Sequence, residues 1–207
     1  MNGRIEHLMK QFENRKQGII NEHSMRRYAI FLPLIEIEND IHLLFEVRAK
    51  HMKRQPGEVC FPGGMVDITD ESPADAAVRE LSEEIGIHEE EASLIGSLDK
   101  IISPFNQIIF PYVGYIDKTA TYSPNEAEVA EIFTVPLSFF LTNQPVQHDI
   151  HLKVEAAESF PYESIPNGKS YKWNAATLPE YFYFYGDYVI WGLTAKITKH
   201  FIEEAIK

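Results

Sequence analysis

Gly57–Ile87 reads GEVCFPGGMVDITDESPADAAVRELSEEIGI, and its second half has the marks of a helix. Ser72 suits the N-cap, Pro73 the first helical position, where its missing N–H costs nothing, and Asp75 the first turn. Gly86 supplies a left-handed stop after Ile85. Ala77, Val78, Leu81 and Ile85 make an apolar face, while Glu80, Glu83 and Glu84 stand at i, i+3 and i+4 on the other side. Like charges at that spacing repel, so the cluster reads on its own as a solvated acidic face or, if it holds a cation, as a site whose candidate tenant is a divalent metal. Mg²⁺ and Mn²⁺ favour oxygen ligands in near-octahedral geometry. Just upstream, Pro62-Gly63-Gly64 turns the chain sharply, and the Gly64 backbone can approach the metal closely. Arg79, four residues before Glu83, is placed to hold that carboxylate in position.

Upstream of this stretch, residues 4–16 carry Ile5, Leu8, Met9 and Phe12 at helical spacing, which predicts a short amphipathic helix packed on the domain. Tyr28–Glu36 and Ile41–Arg48 are rich in β-branched and aromatic residues on either side of Glu38-Asn39-Asp40, a hairpin pattern. The basic loop Arg48–Arg54 reads as a solvated connection or as a phosphate clamp. Glu58–Phe61 is a short strand. Ser93–Ser103 and Gln107–Asp117 are β-rich runs about the turn Pro104-Phe105-Asn106. The acidic segment Asn125–Glu131 precedes the apolar run Ile132–Val135, and Pro136 starts a short helix over Leu137–Leu141. A strand is expected within 146–156. The aromatic segment 158–188 reads as core strand or as a stacking surface, and 188–206 as a packed amphipathic helix. No repeat, low-complexity tract or linker interrupts the chain, so 1–207 is expected to be one α/β domain.

Composition narrows the function classes. The 207 residues, 44% hydrophobic and 24% charged, are those of an ordinary soluble globular chain. A net charge of −12 argues against nonspecific nucleic-acid binding and against docking on acidic membranes. A polyanionic substrate must then be drawn in by local cations or by metal. The single cysteine, Cys60, sits between Val59 and Phe61 and reads as a buried structural thiol. The N-terminus has no apolar signal core and no apolar run approaches a membrane span, which makes the cytoplasm the expected location.

Gly64, Glu71, Arg79-Glu80-Leu81, Glu83-Glu84 and Gly86-Ile87 together resemble the Nudix box, G-x5-E-x7-R-E-U-x-E-E-x-G-U, where U is a bulky aliphatic residue. Counting back from Ile87, every element matches as far as Glu71. The glycine then falls one place early, with six residues between Gly64 and Glu71 and Met65 in the nominal glycine position. Such a lengthening is a feature of the coenzyme A diphosphatase branch. That branch's further signature joins a strand like LLxxRS, a basic loop and G-x-x-x-F-P-G-G. It is similar to Leu43-Leu44-Phe45-Glu46-Val47-Arg48 and to Gly57–Gly64, with one extra residue before Arg48 and no serine after it. The box occupies about 64–87; looser similarity continues at 124–137 and 190–195.

The resemblance implies a Nudix α/β/α sandwich with a mixed central sheet, and metal-dependent hydrolysis with Mg²⁺ or Mn²⁺ as cofactor. The expected reaction splits coenzyme A or its derivatives into 3′,5′-ADP and 4′-phosphopantetheine. Hydrolysis of ADP-ribose or NADH is the alternative, and a non-catalytic nucleotide-binding module the more distant one. Glu80, Glu83, Glu84 and the Gly64 backbone are the implied metal ligands, Arg79 orients carboxylates, and Glu71 supports the loop. Glu128 is the implied general base, with Glu126 its competitor. Arg48, Lys53 and Arg54 would bind substrate phosphates. The implied partner is a small coenzyme A-like nucleotide, without nucleic acid or membrane, and a homodimer is compatible with all of this.

Overall fold

In a computed structural model that describes residues 3–207, the first helix is α1 (Gly3–Phe12). None of its residues is buried, and Ile5, Leu8, Met9 and Phe12 face solvent. The helix is therefore shorter than the 4–16 pattern and is not packed on the rest of the chain. Strand β1 (Arg26–Ile37) returns as β2 (Asp40–Arg48) through Glu38 and Asn39, both at positive φ. That backbone matches strand twist in a two-residue hairpin.

The hairpin is paired only from Ile37↔Asp40 to Leu34↔Leu43, and beyond it the two strands part. The segment carrying β3 (Val59–Cys60) and β4 (Gly63–Met65) fills the fork. Cys60 lies opposite Glu46 of β2, Gly64 lies opposite Ala29 of β1, and the Phe31 amide donates to the Pro62 carbonyl between them at 2.9 Å. This wedge sets Gly63-Gly64 inside the sheet rather than at its rim.

Helix α2 (Pro73–Ile85) follows, then β5 (Ala92–Ser97), β6 (Ile101–Ser103), β7 (Gln107–Ile116) and β8 (Val129–Pro136). β7 runs parallel to β1, β8 antiparallel to β2, and β5 and β6 antiparallel to β7, completing an eight-stranded mixed sheet. Helix α3 (Leu137–Thr142), strands β9 (Val146–Leu152), β10 (Ala176–Tyr185) and β11 (Tyr188–Trp191), and helix α4 (Gly192–Ala205) complete the chain. Alternation along the central strands divides the core in two. Ala29, Phe31 and Leu44 pack against Ala76, Ala77, Leu81 and Ile85 of α2. Leu32, Leu43 and Phe45 pack against Phe140 of α3 and Ile197, Phe201 and Ile202 of α4. The architecture is an α/β/α sandwich with a mixed central sheet.

The C-terminal third departs from the sequence reading in two places. Tyr188–Trp191 is a strand paired with β10, so the last helix begins at Gly192 rather than at 188. Within 158–188 only the part from Ala176 onward is strand; before it lie loops with two short 3₁₀ turns. Alternation on β10 then gives each face a role. Tyr183 is buried in the core with Tyr181 and Tyr185 packed beside it, while Phe182 stacks with Phe184 and Trp191 on the outer face.

Candidate active site

Helix α2 is held at both ends. Ser72 Oγ accepts from the Asp75 amide at 3.3 Å, with Pro73 at the first position. At the other end Gly86 is left-handed at φ 70°, and the carbonyls of Glu84 and Ile85 accept from the amides of Asn125 (2.9 Å) and Ser123 (3.1 Å). A Cβ on Gly86 would lie 1.9 Å from the Ser123 carbonyl oxygen, so only glycine lets the loop dock there. Those bonds satisfy helix-end carbonyls that would otherwise lack partners. They also fix the position of Glu128. From the far side the Ala49 amide donates to the Glu128 carbonyl at 2.7 Å, and His51 Nε2 lies 3.0 Å from the Ala127 carbonyl.

The three helical carboxylates do not share one environment. At about 100° per residue Glu84 falls beside Ala77 and Leu81 on the helix wheel, not beside Glu83. Glu84 is accordingly 3% exposed, Glu80 is half-buried and Glu83 is open to solvent. Glu84 Oε2 accepts from the Gly63 amide at 2.8 Å. Burial, and then the charge of Glu46, push its carboxyl up to about 9. Burial also raises Glu80, against the opposing pull of Arg79. Gly64 lies directly under Glu80: a Cβ there would sit 2.3 Å from the carboxylate.

Arg79 Nη1 donates to Glu80 Oε1 (2.9 Å) and to Glu83 Oε2 (3.1 Å), so one guanidinium orients both. Its main anchor is Asp70, through Nε–Oδ1 at 2.9 Å and Nη2–Oδ2 at 3.0 Å; Nη2 also reaches the Met65 carbonyl at 3.3 Å. Glu71, the acid that the box spacing singled out as the loop's support, is exposed and makes no hydrogen bond or ion pair. Asp70 takes that place. Five residues separate it from Gly64, so the additional residue lies between the acid and Arg79 rather than between the glycine and the acid.

A further carboxylate was missed from the sequence. Glu46 on β2 is 1% exposed; its Oε1 accepts from the Cys60 thiol at 3.1 Å, and its Oε2 has no hydrogen-bond partner. Burial pushes its carboxyl up to about 7, with the Cys60 bond and the charge of Arg48 opposing, and Glu128 and Glu80 adding to the rise. The signal was present in Leu43-Leu44-Phe45-Glu46-Val47, a lone acid in an apolar strand on the same face as Leu44. Cys60 is half-buried rather than fully buried, and its thiol is raised by desolvation and by Glu46.

Glu128 acts electrostatically on Glu46, Glu80 and Glu84, whereas Glu126 is exposed. Arg48 lies near Glu46 and Cys60, with its Nε directed to the Arg54 carbonyl at 3.5 Å. Lys53 and Arg54 carry their charges on the exposed loop and make no ion pair with the carboxylates. A separate cleft of about 470 Å³, near β3 and β11, is lined by Glu58, Glu131 and Asp187 and by no cation, which unsuits it to a diphosphate.

An all-oxygen donor set of Glu80, Glu83, Glu84 and the Gly64 backbone suits a hard divalent cation, and the buried, unpartnered Glu46 oxygen fits the same demand. Among the described residues no three acidic, histidine or cysteine side chains already meet at one coordination point. Glu80 is turned to Arg79, Glu84 to Gly63 and Glu46 to Cys60.

Known proteins are similar to this chain. A mouse protein named peroxisomal coenzyme A diphosphatase NUDT7 is 36% identical over 121 residues, 58% of this chain and 51% of that protein. A Nudix hydrolase NudL from Enterobacter sp. is 42% identical over 113 residues, 55% of this chain and 58% of that protein. The chain thus spans between half and three-fifths of the length of these relatives. A MutT/nudix family protein from Enterococcus faecalis, known as a crystal structure, aligns with all of this chain and 70% of its own at a TM-score of 0.49 and 14% identity. Residues 25–181 match the NUDIX domain, a span that contains the fork, α2 and the Glu128 loop, and the chain belongs to the NUDIX family.

Proposed function

We propose that the chain is a divalent-metal-dependent diphosphatase acting on coenzyme A or its derivatives, releasing 3′,5′-ADP and 4′-phosphopantetheine. The observation that carries the hydrolase reading is the gathering of Glu80, Glu84 and Glu128 about Gly63-Gly64, with Arg79 holding Glu80. Bound Mg²⁺ or Mn²⁺ would supply charge neutralisation at the diphosphate and a more acidic water. Glu80 and Glu84 are the principal ligands in this reading, with Glu83 and the Gly64 carbonyl beside them. Arg79 holds Glu80 and Glu83 in position, and the Gly63 amide fixes one oxygen of Glu84. Glu128 is the base that accepts the proton of the attacking water, a task suited to a carboxylate held by its backbone beside the cluster.

Support for a coenzyme A-like substrate comes from the signature between Leu43 and Gly64 and from the name of the mouse relative. The cations of Arg48, Lys53 and Arg54 would offset the repulsion of an anionic nucleotide by a chain of net charge −12. Mass spectrometry of a coenzyme A digest, with and without Mg²⁺ or Mn²⁺, tests the reading, and heavy-oxygen water identifies the phosphorus attacked. Turnover of ADP-ribose or NADH in preference to coenzyme A would overturn the substrate assignment. An unchanged KM for coenzyme A after Lys53→Ala and Arg54→Ala would remove the clamp.

A further inference from the structure

The most anomalous group in the molecule is Glu46. It comes from β2, outside the acidic helix, and is coupled by charge to Glu84, Glu80 and Glu128. A fully buried carboxylate with one unpartnered oxygen is costly whichever way it ionises. As an anion it needs a second donor or a cation. As a neutral acid it carries an O–H on one oxygen. With Cys60 donating to Oε1, that proton belongs on Oε2, where it has no acceptor. Arg48 is the nearby cation, but it makes no hydrogen bond to Glu46 and directs its Nε to the Arg54 carbonyl. The groups that do surround Glu46 electrostatically, apart from Arg48 and Cys60, are the carboxylates of Glu80, Glu84 and Glu128.

We propose that Glu46 is a ligand of the metal centre, presenting its free Oε2 from strand β2 while the Cys60 thiol holds Oε1 in place. The inference rests on the metal-dependent reading above. It accounts for a cysteine opposite a glutamate in adjacent strands: the thiol occupies one oxygen as a donor and leaves the other to coordinate. It also accounts for why so many carboxylates are tolerated together, since a divalent ion among them offsets their repulsion.

The test is Mn²⁺ titration of the metal-stripped protein, following the free-ion electron paramagnetic resonance signal. The proteins compared are the unaltered chain, Glu46→Gln, Glu46→Asp and Glu84→Gln, each with its unfolding temperature measured with and without Mn²⁺. Glu46→Gln keeps shape and an acceptor for the thiol, so the metal-free protein should remain folded. Expected is Mn²⁺ binding weakened at least tenfold or lowered by one equivalent, with a smaller Mn²⁺-induced rise in unfolding temperature. Glu46→Asp, which keeps the charge but withdraws the oxygen, should weaken binding too. Mn²⁺ binding unchanged in both Glu46 variants but weakened in Glu84→Gln would overturn this inference and leave the metal-dependent reading standing. Binding unchanged in all three would overturn both.

Discussion

Arg79 grips Asp70 with two parallel hydrogen bonds of 2.9 and 3.0 Å, while the neighbouring Glu71 faces solvent. The guanidinium draws the Asp70 carboxyl below its ordinary range. With that grip in place the same guanidinium reaches Glu80 and Glu83. Asp70→Ala should therefore cost about 1.5–3 kcal/mol, the scale of hydrogen bonds to charged groups, and lower kcat by releasing Glu80. Glu71→Ala should stay within about 0.5 kcal/mol, as for an isolated surface site. Denaturant unfolding and steady-state kinetics of the two variants separate them, and equal losses would refute the assignment.

Gly64→Ala places a methyl group where the Glu80 carboxylate now rests. The far end of a glutamate can swing aside, so little stability should be lost. Activity should fall at least tenfold, in line with the sensitivity of catalysis to small displacements of positioned groups. Thermal unfolding beside kcat measures both, and an active Gly64→Ala protein would show that Glu80 does not need its present position.

The metal-free protein should lose stability as pH rises. Glu46 and Glu84 are raised from 4.5 to about 7 and about 9, chiefly by burial, so the folded state holds their protons more tightly than the unfolded chain. Their contribution is complete below about 4.5. It is lost as pH passes through about 7 for Glu46 and about 9 for Glu84. In chelator, unfolding temperature should decline from pH 5 to 9, and Glu84→Gln should flatten the upper part of that decline. A flat or rising profile in the unaltered protein would contradict the burial of these groups.

Replacing the base should separate Glu128 from Glu126. Glu128→Gln should reduce kcat by about 10²–10⁴, the usual range for a general base, with Mn²⁺ affinity much less affected. Glu126→Gln should leave both nearly unchanged, since its side chain is exposed. A large effect from Glu126→Gln would exchange the two roles.

What was legible in the sequence was local. The Ser72 cap, the Gly86 stop and the Glu38-Asn39 turn each depend on residues a few places apart, and local chemistry decides them. The burial of Glu84 was hidden by reading its carboxylate with Glu83, although the helical angle sets the two on different sides. Asp70 and Glu71 are not separable in the sequence, because spacing along a loop does not determine which of two adjacent acids turns inward. The environment of Glu46 depends on Cys60 lying across from it, and that pairing depends on the fork between β1 and β2. Lys53 and Arg54 remain as the sequence leaves them, cations on an exposed loop. The aromatic segment held two answers, because a strand's alternate residues face opposite ways.

The fork has a consequence for the order in which the molecule assembles. β1 must find β7, with Arg26 beside Gln107, before the sheet exists, and β2 must find β8 before the Glu128 loop has its place. Such distant pairings close slowly. A partly folded chain therefore keeps Glu46 and Glu128 apart from the carboxylates of α2, and that part of the repulsion is deferred until the surrounding layers are present to contain it. Refolding should quicken when divalent ions are supplied only if the cluster forms before the slowest step; if it forms after, the ions will slow unfolding instead.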